Sequence, residues 1–119
     1  MRAAGLTLLS IPLALLAAPA HATGGLFCET AGANSIQVQL VIGHTVVSPV
    51  VQARLYDNGT EVPVTVAQAW VDDKELRVDL TDPNAERHEL RLLAKAKGEN
   101  YDGSIWRGGK RRWVRCVES

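Results

Sequence analysis

The residues best suited to chemistry gather near the C-terminus, in the stretch from Tyr101 to Cys116. Gly108-Gly109 reads there as a two-residue hairpin turn, and the ladder it sets places Trp106 opposite Arg111, Ser104 opposite Trp113 and Asp102 opposite Arg115. Trp106, Arg111, Trp113 and Arg115 then share one face. Tryptophan beside arginine offers a flat aromatic surface with a fixed positive charge, which suits cation–π contact and the binding of anionic or sugar-bearing partners. Tyr101 adds a ring and a hydroxyl at the start of the stretch. These five side chains are the candidate binding residues. The competing reading is structural: the tryptophans pack on a loop or on Trp70 while the arginines stay solvated.

Catalytic chemistry finds little support. Downstream of residue 22 the only histidines are His44 and His88, and both read as structural or surface residues. No Ser-His-Asp spacing, Gly-x-Ser-x-Gly elbow, phosphate-cradling glycine loop or His-Glu-x-x-His occurs. Asp82-x-Asn84-x-Glu86 has the opening spacing of a calcium loop but lacks its glycine and distal glutamate, so it reads as a turn. The expectation is a protein that is not an enzyme, with no metal site and no cofactor.

These side chains need a compartment and a scaffold. Arg2 precedes an apolar run from Leu6 to Ala18, and Ala20-His21-Ala22 presents the small-x-small pattern of a cleavage site. Residues 1–22 therefore read as a signal peptide whose apolar run is too short and too Ala-rich to span a bilayer, and residues 23–119 as one exported domain, periplasmic or secreted. Export makes Cys28 and Cys116, the only two cysteines, a disulfide. Closing so long a loop is worth roughly 4–5 kcal/mol in the chain-entropy picture, a large contribution in a domain this small.

The full chain has 13 basic and 13 acidic residues, so charge distribution carries more information than net charge. Arg107, Lys110, Arg111, Arg112 and Arg115 crowd the tail, whereas acids crowd residues 72–89. Such polarity steers charged partners to one side. Nucleic acid is a poor partner for an exported chain that is not basic overall. An anionic envelope glycan, a lipid headgroup or another periplasmic protein fits better.

Alternation of apolar and polar residues predicts an all-β fold. Ile36, Val38, Leu40 and Ile42 alternate with polar residues; so do Val51, Ala53 and Leu55, and Leu76, Val78 and Leu80. Asn58-Gly59 marks a hairpin turn. Pro63 lacks a backbone donor and predicts an edge or a bulge, and a parity change near Ala67 predicts a second bulge. Residues 86–97 allow two readings. Asp82-Pro83 and Lys97-Gly98 resemble helix boundaries, but Leu90, Leu92, Ala94 and Ala96 lie on one strand face, which favours a strand. The expected fold is an antiparallel meander of about eight strands, a closed or nearly closed barrel, with Cys28 and Cys116 stapling its seam.

Over its last quarter the chain resembles the small periplasmic inhibitors of c-type lysozyme. Those proteins carry Ser-Gly-x-x-Tyr and then Trp-x-Lys-Gly. This chain has Gly98 and Tyr101 in the first element and Trp106 and Gly109 in the second, with Lys97 in place of the serine and Gly108 in place of the lysine. The resemblance implies an exported, disulfide-stapled β-barrel. It would make the chain a lysozyme inhibitor, although the two replaced positions are the ones through which that family engages the enzyme. Taken together, the residues point to a non-enzymatic exported binding or envelope-associated protein that uses its C-terminal hairpin. A lysozyme inhibitor and a subunit of a larger envelope assembly are the alternatives.

Overall fold

The computed structural model describes residues 24–43 and 50–119. The expected signal segment 1–22, its cleavage point and His44 lie outside them. Nine strands follow: β1 Gly24–Thr30, β2 Ile36–Ile42, β3 Val50–Asp57, β4 Thr60–Val62, β5 Thr65–Val71, β6 Glu75–Thr81, β7 His88–Lys97, β8 Asn100–Arg107 and β9 Lys110–Glu118. They form one antiparallel sheet in the order β4-β3-β2-β1-β9-β8-β7-β6-β5, curled into a half-barrel. The described residues contain no helix.

Nine strands stand where about eight were expected, because the predicted strand from Val62 to Trp70 divides at Pro63. Val62 pairs with Leu55 of β3, whereas Thr65 pairs with Thr81 of β6. The chain thus leaves one edge of the sheet and joins the other without reversing direction. Proline has no N–H to donate, and the ladder stops beside it. The bulge expected near Ala67 is there: Val66 pairs with Leu80 and Gln68 with Asp79, leaving Ala67 unpaired.

The disulfide is formed, but the expected seam is displaced. Cys28 and Cys116 are direct partners in a continuous β1–β9 ladder running from Leu26↔Glu118 to Thr30↔Val114. The opening lies elsewhere, between β5 and the β3–β4 hairpin. Alternation tells which face of a strand is buried and carries no information about which edges meet. Both lips of the opening are irregular. Ala67 bulges on β5, and Val51 on β3 is skipped between Val41↔Gln52 and Ile42↔Val50. Bulges of this kind discourage a bare edge from recruiting another strand.

Residues 88–97 are strand, with Leu90, Leu92 and Ala94 buried. The apparent helix entry before them is a turn built on the buried Asp82. Its Oδ1 accepts from the backbone N–H of Glu86 at 2.7 Å and of Arg87 at 2.5 Å, and its Oδ2 from Asn84 at 3.3 Å. Ala85 sits at φ 59°, which no helix can incorporate. The carboxylate is committed to the backbone, so the calcium-like spacing here serves a turn. The turn also shifts the side-chain parity: Leu80 pairs with Leu90 but Thr81 with His88, leaving Glu89 bulged. His88 is consequently exposed, its Nε2 3.0 Å from Asp79 Oδ1.

Inward-facing Leu55, Leu76, Leu80, Leu90, Leu92, Ile105, Val38 and Val114 are fully buried and occupy the interior beside the disulfide. Side chains therefore fill the space that larger barrels leave for ligands. Polar latches hold the two ends. At one, Arg107 bonds Asp57 (Nε–Oδ2 2.8 Å) and Glu89 (Nη1–Oε1 2.8 Å), while Arg112 donates to the carbonyls of Asn34 and Ala31. At the other, Tyr101 donates its hydroxyl to the Asp72 carbonyl at 2.6 Å.

Candidate functional site: the outer face of the C-terminal hairpin

The interior beside the disulfide is filled, a groove of about 1080 Å³ lies at the open side between β3 and β5, and the candidate residues lie on the outer face of the hairpin. Strands β8 and β9 are joined by Gly108-Gly109, both at positive φ (59° and 79°), as a type I′ turn requires. A two-residue turn sets the register. Trp106 pairs with Arg111, Ser104 with Trp113 and Asp102 with Arg115, each as the spacing predicts. Tyr101, Ile105, Val114 and Cys116 take the opposite, inward face.

The candidate binding residues divide accordingly. Trp106, Arg111, Trp113 and Arg115 are brought together on the outer face. Tyr101 faces inward and closes one end of the barrel, with burial and the nearby carboxylates of Asp72 and Asp73 holding its phenol above its ordinary pKa. Trp113 is 53 % exposed and Trp106 half-buried. Trp70, also on an outer face, lies on β5, three strands from β8 and four from β9. Its ring centroid is 5.8 Å from the Arg77 guanidinium, and it lines the groove with Arg91.

The arginines of this face are not equivalent. Arg115 grips Asp102 with two nitrogens (2.8 and 3.0 Å), its guanidinium lies 5.4 Å from the Trp113 ring centroid, and it holds the Asp102 carboxyl below the usual carboxylate range. Arg91, opposite Trp106 on β7, is paired with Asp79. Arg111 has a different partner. Its Nε donates to Ser104 Oγ at 2.9 Å, with no carboxylate in ion-pair range among the described residues.

No family model, curated protein or solved structure matches this chain. The site must be read from its own geometry. The two elements that carry the resemblance to lysozyme inhibitors lie in turns at opposite ends of β8: Gly98, at φ 62°, in the β7–β8 turn, and Gly109 in the β8–β9 turn. An eight-residue strand separates them, roughly 26 Å at about 3.3 Å per residue.

Two features of the site were not drawn from the sequence. One is the Arg111–Ser104 bond, a diagonal contact that the hairpin register allows but does not require. The other is the place of Trp106 between two cations, since Arg91↔Trp106↔Arg111 forms one row across β7, β8 and β9. The β7–β8 register that makes this row could have been counted from the turn at Gly98. Among the described residues, no three His, Cys, Asp or Glu side chains are grouped to hold a metal ion.

Proposed function

We propose that this chain is a non-enzymatic, exported binding protein of the cell envelope, and that it meets its partner through the outer face of β8 and β9. The core beside the disulfide is filled by leucines, and Trp113 is the most exposed large apolar side chain among the described residues. That observation carries the reading. A half-exposed tryptophan flanked by arginines is the composition from which interface anchors are drawn. The buried disulfide supports a non-reducing compartment, and with it the periplasmic or secreted location.

The test is retention on purified envelope material. The wild-type domain should be retained, and a Trp113→Ala, Arg111→Ala double variant should be lost to the supernatant while keeping its melting temperature within a few degrees, as expected for exposed positions. Equal retention of the two proteins would remove the hairpin from the interface. A turbidity assay with c-type lysozyme on the same pair separates this reading from the inhibitor alternative, which requires the wild type to slow lysis.

A further inference from the structure

Every other arginine among the described residues has an acidic or carbonyl partner. Arg54 pairs with Glu61, Arg77 with Glu75, Arg87 with Glu89, Arg91 with Asp79, Arg107 with Asp57 and Glu89, and Arg115 with Asp102; Arg112 is spent on two backbone carbonyls. Arg111 alone is held by a side-chain hydroxyl, through Nε only. Ser104, itself buried, takes its Nε and so fixes the orientation of the guanidinium plane. The side chain is rooted opposite Trp106 and tied to the residue opposite Trp113, so it crosses diagonally between the two indoles. Both Nη groups remain available, and they form the end-on fork that matches two oxygens of one anionic group.

We infer that this unit is a binding site for an acidic sugar: the sugar's carboxylate bridges the two Nη groups of Arg111, and its ring lies on the exposed indole of Trp113. The inference rests on the hairpin reading above and adds the class of partner. A planar oxyanion satisfies the fork, and an adjoining aromatic surface favours a ring over a bare ion. Arg91 and Arg115 are neutralised by Asp79 and Asp102, so Arg111 is the arginine of this face left to read one anion locally. This arrangement discriminates against a membrane surface, which would select a broad field of cations.

The experiment titrates the disulfide-bonded domain with trigalacturonate, following tryptophan fluorescence and heat. Maltotriose, inorganic phosphate and vesicles of phosphatidylglycerol are the comparison ligands. Saturable binding of trigalacturonate is expected, with maltotriose and phosphate each weaker by about tenfold or more, the loss of one charge-assisted contact or of the ring. Arg111→Gln should cost about tenfold. Arg111→Lys should fail to restore it, because lysine keeps the charge and loses the fork. Ser104→Ala should weaken binding several-fold while leaving Arg111 in place. Unchanged affinity in Arg111→Gln, full rescue by lysine, equal binding of maltotriose or phosphate, or binding to vesicles alone would each overturn the inference. Envelope retention that survives both Arg111→Gln and excess trigalacturonate would overturn it while leaving the hairpin reading standing.

Discussion

Three carboxylates of this sheet are held in charge more firmly than ordinary ones. Asp82 is kept low by the backbone N–H of Arg87 and those of Glu86 and Asn84, Asp102 by the Arg115 guanidinium, and Glu89 by Arg107. A carboxyl whose folded pKa is depressed contributes stability that is complete above its unfolded value of about 4 and is lost as pH falls through the folded value. The melting temperature should therefore be flat above about pH 5 and fall on acidification below about pH 4. In Asp82→Asn the acid slope should be shallower and the neutral-pH melting temperature lower, because an amide oxygen accepts these backbone bonds less strongly. Thermal scans from pH 7 to pH 2 check both; an unchanged acid slope would remove Asp82 from the account. At this scale the sequence showed which side chains would be neighbours in the hairpin and little of what they do. That Arg115 is neutralised could be read from the turn. The isolation of Arg111 depends on where every other charge ends up, and no local pattern carries that.

Strands and turns were the most legible level. Two-residue glycine turns set register by themselves, so all three outer-face pairs of the β8–β9 hairpin could be counted before the fold was known. Period-two alternation likewise favoured a strand over residues 86–97 against the helix-like signals around them, and residues 88–97 are strand. The pairing of β1 with β9 and the passage of the chain between sheet edges at Pro63 were not legible, since strands of similar pattern are interchangeable until their edges are assigned. Gly103 shows how tightly the elements then meet. A Cβ built there would stand 2.0 Å from the carbonyl oxygen of Leu93 and 2.5 Å from Ala94 Cα on β7. These are backbone atoms and cannot swing aside. Gly103→Ala should therefore cost at least the upper part of the roughly 1–3 kcal/mol typical of overpacking, by urea unfolding. The β8–β9 turn predicts the opposite sign: Gly108→Asn recreates the Asn-Gly pair of the β3–β4 turn, where Asn58 sits at φ 54°. It should leave stability equal or slightly raised, because asparagine tolerates that φ and the unfolded chain loses freedom.

For the whole molecule the disulfide is a large contribution. It joins residues 88 apart in sequence, and its loss from the unfolded-state restraint alone is worth roughly 4–5 kcal/mol. Cys28→Ser should lower the melting temperature markedly and leave Cys116 open to alkylation only when the barrel loosens, since both sulfurs are fully buried. A wild-type Cys116 that reacts without denaturant would contradict the buried pairing. The joining of β1 to β9 also orders events in time. A chain delivered from its N-terminus presents β1 first and β9 last, so the central ladder of the sheet cannot zip until the final strand has arrived. Until then β1 has only β2 beside it, and Cys28 waits for a partner not yet delivered. Completion is therefore a late, all-at-once step. Refolding from the unfolded but still oxidised chain, where the two strands are already tethered, should outpace refolding from the reduced chain by a wide margin.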